Sequence, residues 1–308
     1  MTRPTGPYRL SGARGRPQRA RHGRGAQAIG AALARQSGTV PVPFGTSQPA
    51  LNAGWRTELA AARPALGQIQ ARIDAVLAGG AVSVAATGRC AASLATLPVV
   101  ARHHPGACIL WLDAHGDLNT PETSGSGDLG GMALSGPAGL WKTGLGAGQI
   151  VLAGSRDLDP AERDLTLRHA IPVIPPGADM AAALRSVIAG RPVYVHLDCD
   201  ALRPGIVPTE YAVEGGLSLD ELNACTRVIA EHRLPGLEIA EFEAAWKEGI
   251  AQAAIGGARA PLSGLSHARK RNPAPADGRD GALAHVAGDS PRTTITLRRA
   301  SRYRRRRP

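Results

Sequence analysis

The stretch ACILWLDAHGD, residues 107–117, decides how this chain is read. An apolar run ends abruptly at Asp113, and the next alternate positions are His115 and Asp117. A short apolar run of this kind predicts a strand buried on both faces, as in a parallel sheet. Alternate residues of an extended segment point the same way, so Asp113, His115 and Asp117 can converge just beyond the strand's carboxyl end. The pattern recurs in PVYVHLDCD, residues 192–200, where Asp198 and Asp200 follow a second apolar run. Carboxylates crowded in this way repel one another unless cations lie between them. Their hard oxygen donors suit a pair of divalent ions, with Mn²⁺ favoured over a thiolate-seeking Zn²⁺.

Working outward, the same short strand signal occurs at residues 81–86, 149–154, 171–174 and 236–242, with helical spacing at 60–77 and 91–103. Ser218 followed by Glu221 forms a capping box ahead of another helical stretch. Strands alternating with helices predict an α/β fold, a mainly parallel sheet covered by helices. Ligands in such sheets sit at the carboxyl ends of strands, where both Asp clusters fall.

Composition narrows the rest. The chain has 308 residues, 43% of them apolar and 20% charged, which suits a globular body and excludes a wholly disordered chain. No apolar run reaches the roughly 18 to 20 residues of a membrane-spanning helix, so no membrane partner is expected. The four cysteines are widely spaced, which fits a reducing, cytoplasmic setting. The net charge of +11 is concentrated at the ends: residues 1–25 carry +7, residues 251–308 carry +10, and the body between carries −6. Three segments are therefore expected: a basic flexible arm (1–25), a globular domain (26–252) and a basic low-complexity tail (253–308). Any nucleic-acid binding is expected to be non-specific and confined to these arms.

The motifs LDAHGDLNTPETSGSG (112–127), GSRDLDPAE (154–162), HLDCDALRPGIVPTEYAVEGGLS (196–218) and LEIAEFE (237–243) resemble those of the arginase family, the ureohydrolases that include arginase, agmatinase and formiminoglutamase. The resemblance implies a three-layer αβα domain holding two Mn²⁺ ions and a shared hydroxide. That hydroxide would attack the guanidino or amidino carbon of a small linear cationic substrate such as arginine or agmatine. Asp113 and Asp198 would bridge the ions, Cys90 and Asp117 would complete the first site, and His115 and Asp200 the second. Glu241 would receive the guanidinium. Asn119, Ser126, Asp128, Asp159 and Glu162 would hold the far end of the substrate. A homo-oligomer is also expected.

Three positions depart from the family pattern. Cys90 stands where the first ligand is usually His, Arg89 stands where the preceding residue is usually Asp, and Gly130 replaces a His that relays protons. Cys90 is expected to weaken the first site toward Mn²⁺, and His196 or Glu122 are candidates for the missing relay. A reading from another class, an impaired scaffold acting by binding or assembly, rests on these same three positions.

Overall fold

A computed structural model describes residues 15–44, 51, 53–140, 146–246 and 284–288. Its centre is an eight-stranded sheet in the order β1-β8-β2-β7-β6-β3-β4-β5, in which every pairing is parallel. The strands are β1 (Val42–Phe44), β2 (Ser83–Ala86), β3 (Cys108–Leu112), β4 (Ile150–Ala153), β5 (Val173–Ile174), β6 (Val193–Asp198), β7 (Gly236–Ala240) and β8 (Ala284–Gly288). All six strand signals found in the sequence are therefore strands.

Among the described residues six helices flank the sheet: α1 (Gly15–Ser37), α2 (Trp55–Ala78), α3 (Ser93–His103), α4 (Pro160–Arg168), α5 (Met180–Ile188) and α6 (Leu219–Ile229). Two apolar layers result. On one face Ile29 and Leu33 of α1, Leu184 of α5 and Val228 of α6 pack on Val84, Leu110, Val195 and Leu237. On the other, Ile73 of α2 and Leu97 of α3 pack on Ile109, Trp111, Ile150 and Tyr194. The alternation of side chains along each strand supplies both faces, and the architecture is the three-layer αβα sandwich. The Ser218–Glu221 capping box opens α6 as expected.

Two segment boundaries need correction. Residues 15–25, expected in a flexible arm, belong to α1, where His22 and Gly25 are buried against the end of β7. Arg-rich composition hid this helix because the apolar face that seats it begins only at Ala26. Residues 284–288, expected in the tail, form β8 between β1 and β2. A five-residue strand amid Gly, Pro and Arg leaves too short a pattern to see. Residues 1–14, 247–283 and 289–308, and with them the rest of both basic segments, lie outside the described residues.

Candidate metal centre

Four adjacent strands, β2, β7, β6 and β3, end level with one another and each delivers a chemically active side chain just past its carboxyl end. Cys90 follows β2, Glu241 follows β7, Asp198 and Asp200 end and follow β6, and Asp113, His115 and Asp117 follow β3. Parallel pairing is the reason for the convergence, because it puts every carboxyl end on one edge.

Among the described residues three sets of ligand atoms are close enough to hold an ion: His22, Glu210 and Glu241 form one, and the other two lie at the aspartate clusters. Of the latter two, one comprises Cys90, Asp113, His196 and Asp198, the other Asp113, His115 and Asp200, and within each set the donor atoms lie within 4.8 Å of one another. Asp113 belongs to both of these, which is the arrangement of two neighbouring sites. Of the expected ligands, the structure thus brings together Cys90, Asp113, His115, Asp198 and Asp200. Asp117 is buried beside them with its backbone at φ 48°, outside both sets. His196 is an addition. It lies two residues before Asp198 on the same strand, so period-two alternation carries the signal that it faces the same way.

Main-chain amides orient the carboxylates. The His115 amide donates to Asp113 Oδ1 at 2.7 Å, the Asp200 amide to Asp198 Oδ1 at 2.7 Å, and the Ala114 amide to Asp200 Oδ1 at 3.1 Å. Trp111 Nε1 donates to Asp113 Oδ2 at 3.0 Å, and Cys90 Sγ donates to Asp198 Oδ2 at 2.9 Å. Burial, reinforced by the nearby Asp200 charge, pushes the Asp113 carboxyl up to about 6. Asp198 is raised further by burial and by Asp200, and Asp117 by burial and by Asp113. Burial opposes the His115 cation, yet Asp113 and Asp200, 3.3 Å and 3.1 Å from its Nδ1, hold its pKa up at about 12.

Glu241 sits at a positive φ of 59°, a strained conformation of the kind that marks functional strand ends. Its Oε1 accepts the Cys90 amide at 2.9 Å, and its Oε2 lies 3.0 Å from Arg89 and 3.3 Å from His22. Burial alone would raise this carboxyl, but Arg89 and then His22 more than offset it and hold it at about 2. Arg89, one of the three departures from the family pattern, turns to Glu241 and to Glu210, 2.6 Å from the latter. His22 and Glu210 were not legible as site residues, since His22 lies in an Arg-rich helix and Glu210 in a loop with no strand ahead of it.

The remaining expected residues form the rim. Asn119 Nδ2 donates to Asp159 Oδ2 at 2.8 Å, joining the two loops. Ser126 and Asp128 are exposed and take part in local turns, with Asp128 accepting the Gly130 amide. Both oxygens of Glu162 are engaged by main-chain amides, those of Leu118 and Asp159, so it supports the loops from beneath. Asp159 caps α4, and Arg156 binds main-chain carbonyls, including those of Asp200 and Val213. His196 is fully buried, with its ring nitrogens facing Glu238 and Cys90. Glu122 is exposed and accepts from Thr120 Oγ1.

A profile of the Arginase family matches residues 11–260 of the chain. The chain belongs to the arginase family. It is thereby a hydrolase of carbon–nitrogen bonds in linear amidines. Over 224 residues it is 41% identical to N(omega)-hydroxy-L-arginine amidinohydrolase of Streptomyces lavendulae, an alignment covering 71% of this chain and 82% of that one. It is 32% identical to the arginase of Glaciozyma antarctica over 56% of this chain and 57% of the relative. The solved arginase of Bacillus caldovelox superposes with a TM-score of 0.69 at 23% identity, covering 81% of this chain and 94% of that one, which bears on the fold alone.

The donor set of this arginase-family chain fits divalent cations. Burial and mutual repulsion raise the pKa of Asp113, Asp117 and Asp198, so these carboxylates call for a counter-charge between them. Asp113, Asp198 and Asp200 supply the oxygen donors that hard ions prefer, His115 and His196 supply nitrogen, and Cys90 adds one soft donor to the first set. Among the described residues, no helix is long and apolar enough to cross a membrane.

Proposed function

We propose that this chain is a binuclear manganese hydrolase of guanidino compounds and that it acts on a hydroxyguanidine in preference to arginine. The observation that carries the preference is the state of Glu241. Its carboxylate is already matched by Arg89 at 3.0 Å and His22 at 3.3 Å. A fully cationic guanidinium arriving there meets the Arg89 cation already paired with the carboxylate, whereas a hydroxyguanidine is much less basic and can bind uncharged. The substrate named for the Streptomyces lavendulae relative supports the same choice.

Within this reading Cys90, Asp113, Asp117 and Asp198 would hold the first ion, and Asp113, His115, Asp198 and Asp200 the second. When bound, such a pair lowers the pKa of water enough to supply a nucleophile at neutral pH. Glu241 orients the reacting carbon from the adjacent strand end, while Asn119, Ser126, Asp128 and Asp159, with Glu162 beneath them, engage the far end of the substrate. Gly130 provides no titratable group, so the leaving amine takes its proton from solvent or through the half-exposed rim around Tyr211.

The test is an assay of the manganese-loaded full chain against N(omega)-hydroxy-L-arginine, arginine, agmatine, guanidinobutyrate and formiminoglutamate. The highest kcat/KM is expected for the hydroxyguanidine. Equal or higher efficiency on arginine refutes the preference, and no turnover of any of them refutes the activity.

A further inference from the structure

His196 occupies an unusual place for a residue so near a metal centre. Register aligns Trp111 of β3, His196 of β6 and Glu238 of β7 in one row across the sheet. The imidazole stacks on Trp111 with ring centroids 3.5 Å apart and planes 6° from parallel. Its Nδ1 lies 2.8 Å from Glu238 Oε1, and its Nε2 lies 3.3 Å from Cys90 Sγ. Glu238 is fixed in turn by Ser93, by Thr96 at 2.7 Å and by Tyr194 at 3.1 Å. Trp111 also donates to Asp113, so the row touches the metal ligands at two points. His196, Glu238, Trp111, Thr96 and Tyr194 are all fully buried.

We infer that His196 is a positioning residue for the sulfur of Cys90, and that the two side chains together stand in for one imidazole at position 90. The inference rests on the two-ion reading above. The Glu238 contact at Nδ1 fixes the plane of the imidazole and thereby turns Nε2 toward the sulfur. Carboxylate–histidine pairs orient metal ligands by the same logic. A cysteine side chain is shorter than a histidine and lacks the ring that would wedge it in place, so without a neighbour its sulfur can turn to another χ1 rotamer away from the ion. The contact with His196 removes that freedom. Stacking on Trp111 ties the same ring to the strand that carries Asp113.

Cobalt reports the sulfur directly, because a thiolate bound to Co²⁺ gives a near-ultraviolet charge-transfer band. The native protein titrated with Co²⁺ is expected to show that band, and Cys90→Ser to lack it. His196→Ser should weaken the band and lower affinity for the first Co²⁺ or Mn²⁺ by roughly 10- to 100-fold, the usual range for losing an outer partner. Glu238→Gln, which keeps shape and buried volume, should act in the same direction and serves if His196→Ser does not fold. The decisive variant is Cys90→His combined with His196→Ser. It supplies the imidazole at position 90, and its Mn²⁺ affinity should return to within about threefold of native, as follows if the outer contact serves only the sulfur.

Additive losses in the double variant would make His196 a merely structural residue and overturn the inference. So would a band unchanged in both His196→Ser and Glu238→Gln. A band absent from the native protein, or ion affinity that survives Cys90→Ser but not His196→Ser, would make the imidazole itself the ligand and overturn it too. Manganese stoichiometry of the native chain is read separately, so the two-ion reading stands or falls on its own number.

Discussion

Replacing Asp113 by Asn should stabilise the metal-free protein while ending its response to metal. In the folded chain the Asp113 carboxyl lies at about 6 against an ordinary 3.8, an interval that already includes the attraction of His115. At pH 8 that interval costs the folded state about 3 kcal/mol, because the unfolded chain ionises the group without opposition. Asn has no such cost. It loses part of the hydrogen bonding, since its amide nitrogen must face one of the two donors, the His115 amide or Trp111 Nε1. That change takes back about 1 to 2 kcal/mol. A net gain of about 1 kcal/mol remains, or about 2 to 4 °C for a domain of this size.

The sign follows from linkage. A carboxyl whose folded pKa is raised is penalised above that pKa and not below its unfolded one, so the gain should be complete at pH 8 and absent near pH 4. Asp113 also belongs to both ligand sets, so the substituted protein should lose the melting shift that native protein shows with Mn²⁺, about 2.7 kcal/mol at one hundred times Kd. Calorimetry in chelator and in excess Mn²⁺, at both pH values, makes the comparison. An Asp113→Asn protein less stable than native in chelator at pH 8, a gain of equal size at pH 4, or an intact Mn²⁺ shift would each refute the reasoning.

Arg89→Ala frees Glu241 and should raise kcat/KM on arginine relative to N(omega)-hydroxy-L-arginine by roughly tenfold, the size of one charge-assisted hydrogen bond; an unchanged ratio contradicts the role given to Arg89. Gly25→Val drives a Cβ into the Phe242 carbonyl, where α1 meets the end of β7, and should lower stability by about 2 kcal/mol or more; a melting temperature equal to native would show that α1 does not pack there. Ending the chain before Ala284 removes the strand between β1 and β2 and should lower the melting temperature by several degrees, whereas no change would contradict the position of β8.

What the sequence disclosed depended on how much local pattern each element carries. The central strands β3 and β6 are continuous apolar runs ending in carboxylates, and their motifs point at once to sheet, edge and metal. Helix α6 announces itself through Ser218 and Glu221. By contrast α1 begins among arginines and β8 is five residues long in low-complexity surroundings, so tertiary packing rather than local pattern places them. The site divides in the same way. Asp113, His115, Asp198 and Asp200 are fixed by alternation on one edge, which sequence shows. The Arg89–Glu241–His22 group joins residues from a loop, a strand end and a distant helix, and only folding brings it together. Arg89 stood out in the sequence only as a departure for that reason, since nothing local signalled that it would pair with Glu241 and Glu210.

The central claim is that two ions share Asp113 and Asp198. Electron paramagnetic resonance of the full chain loaded with two equivalents of Mn²⁺ tests it directly, since ions held through common ligands are close enough to couple magnetically. An exchange-coupled spectrum in the native protein, reduced to an isolated-ion signal in Asp198→Ala, is the expected result. An isolated six-line Mn²⁺ signal at full occupancy in the native protein would contradict it.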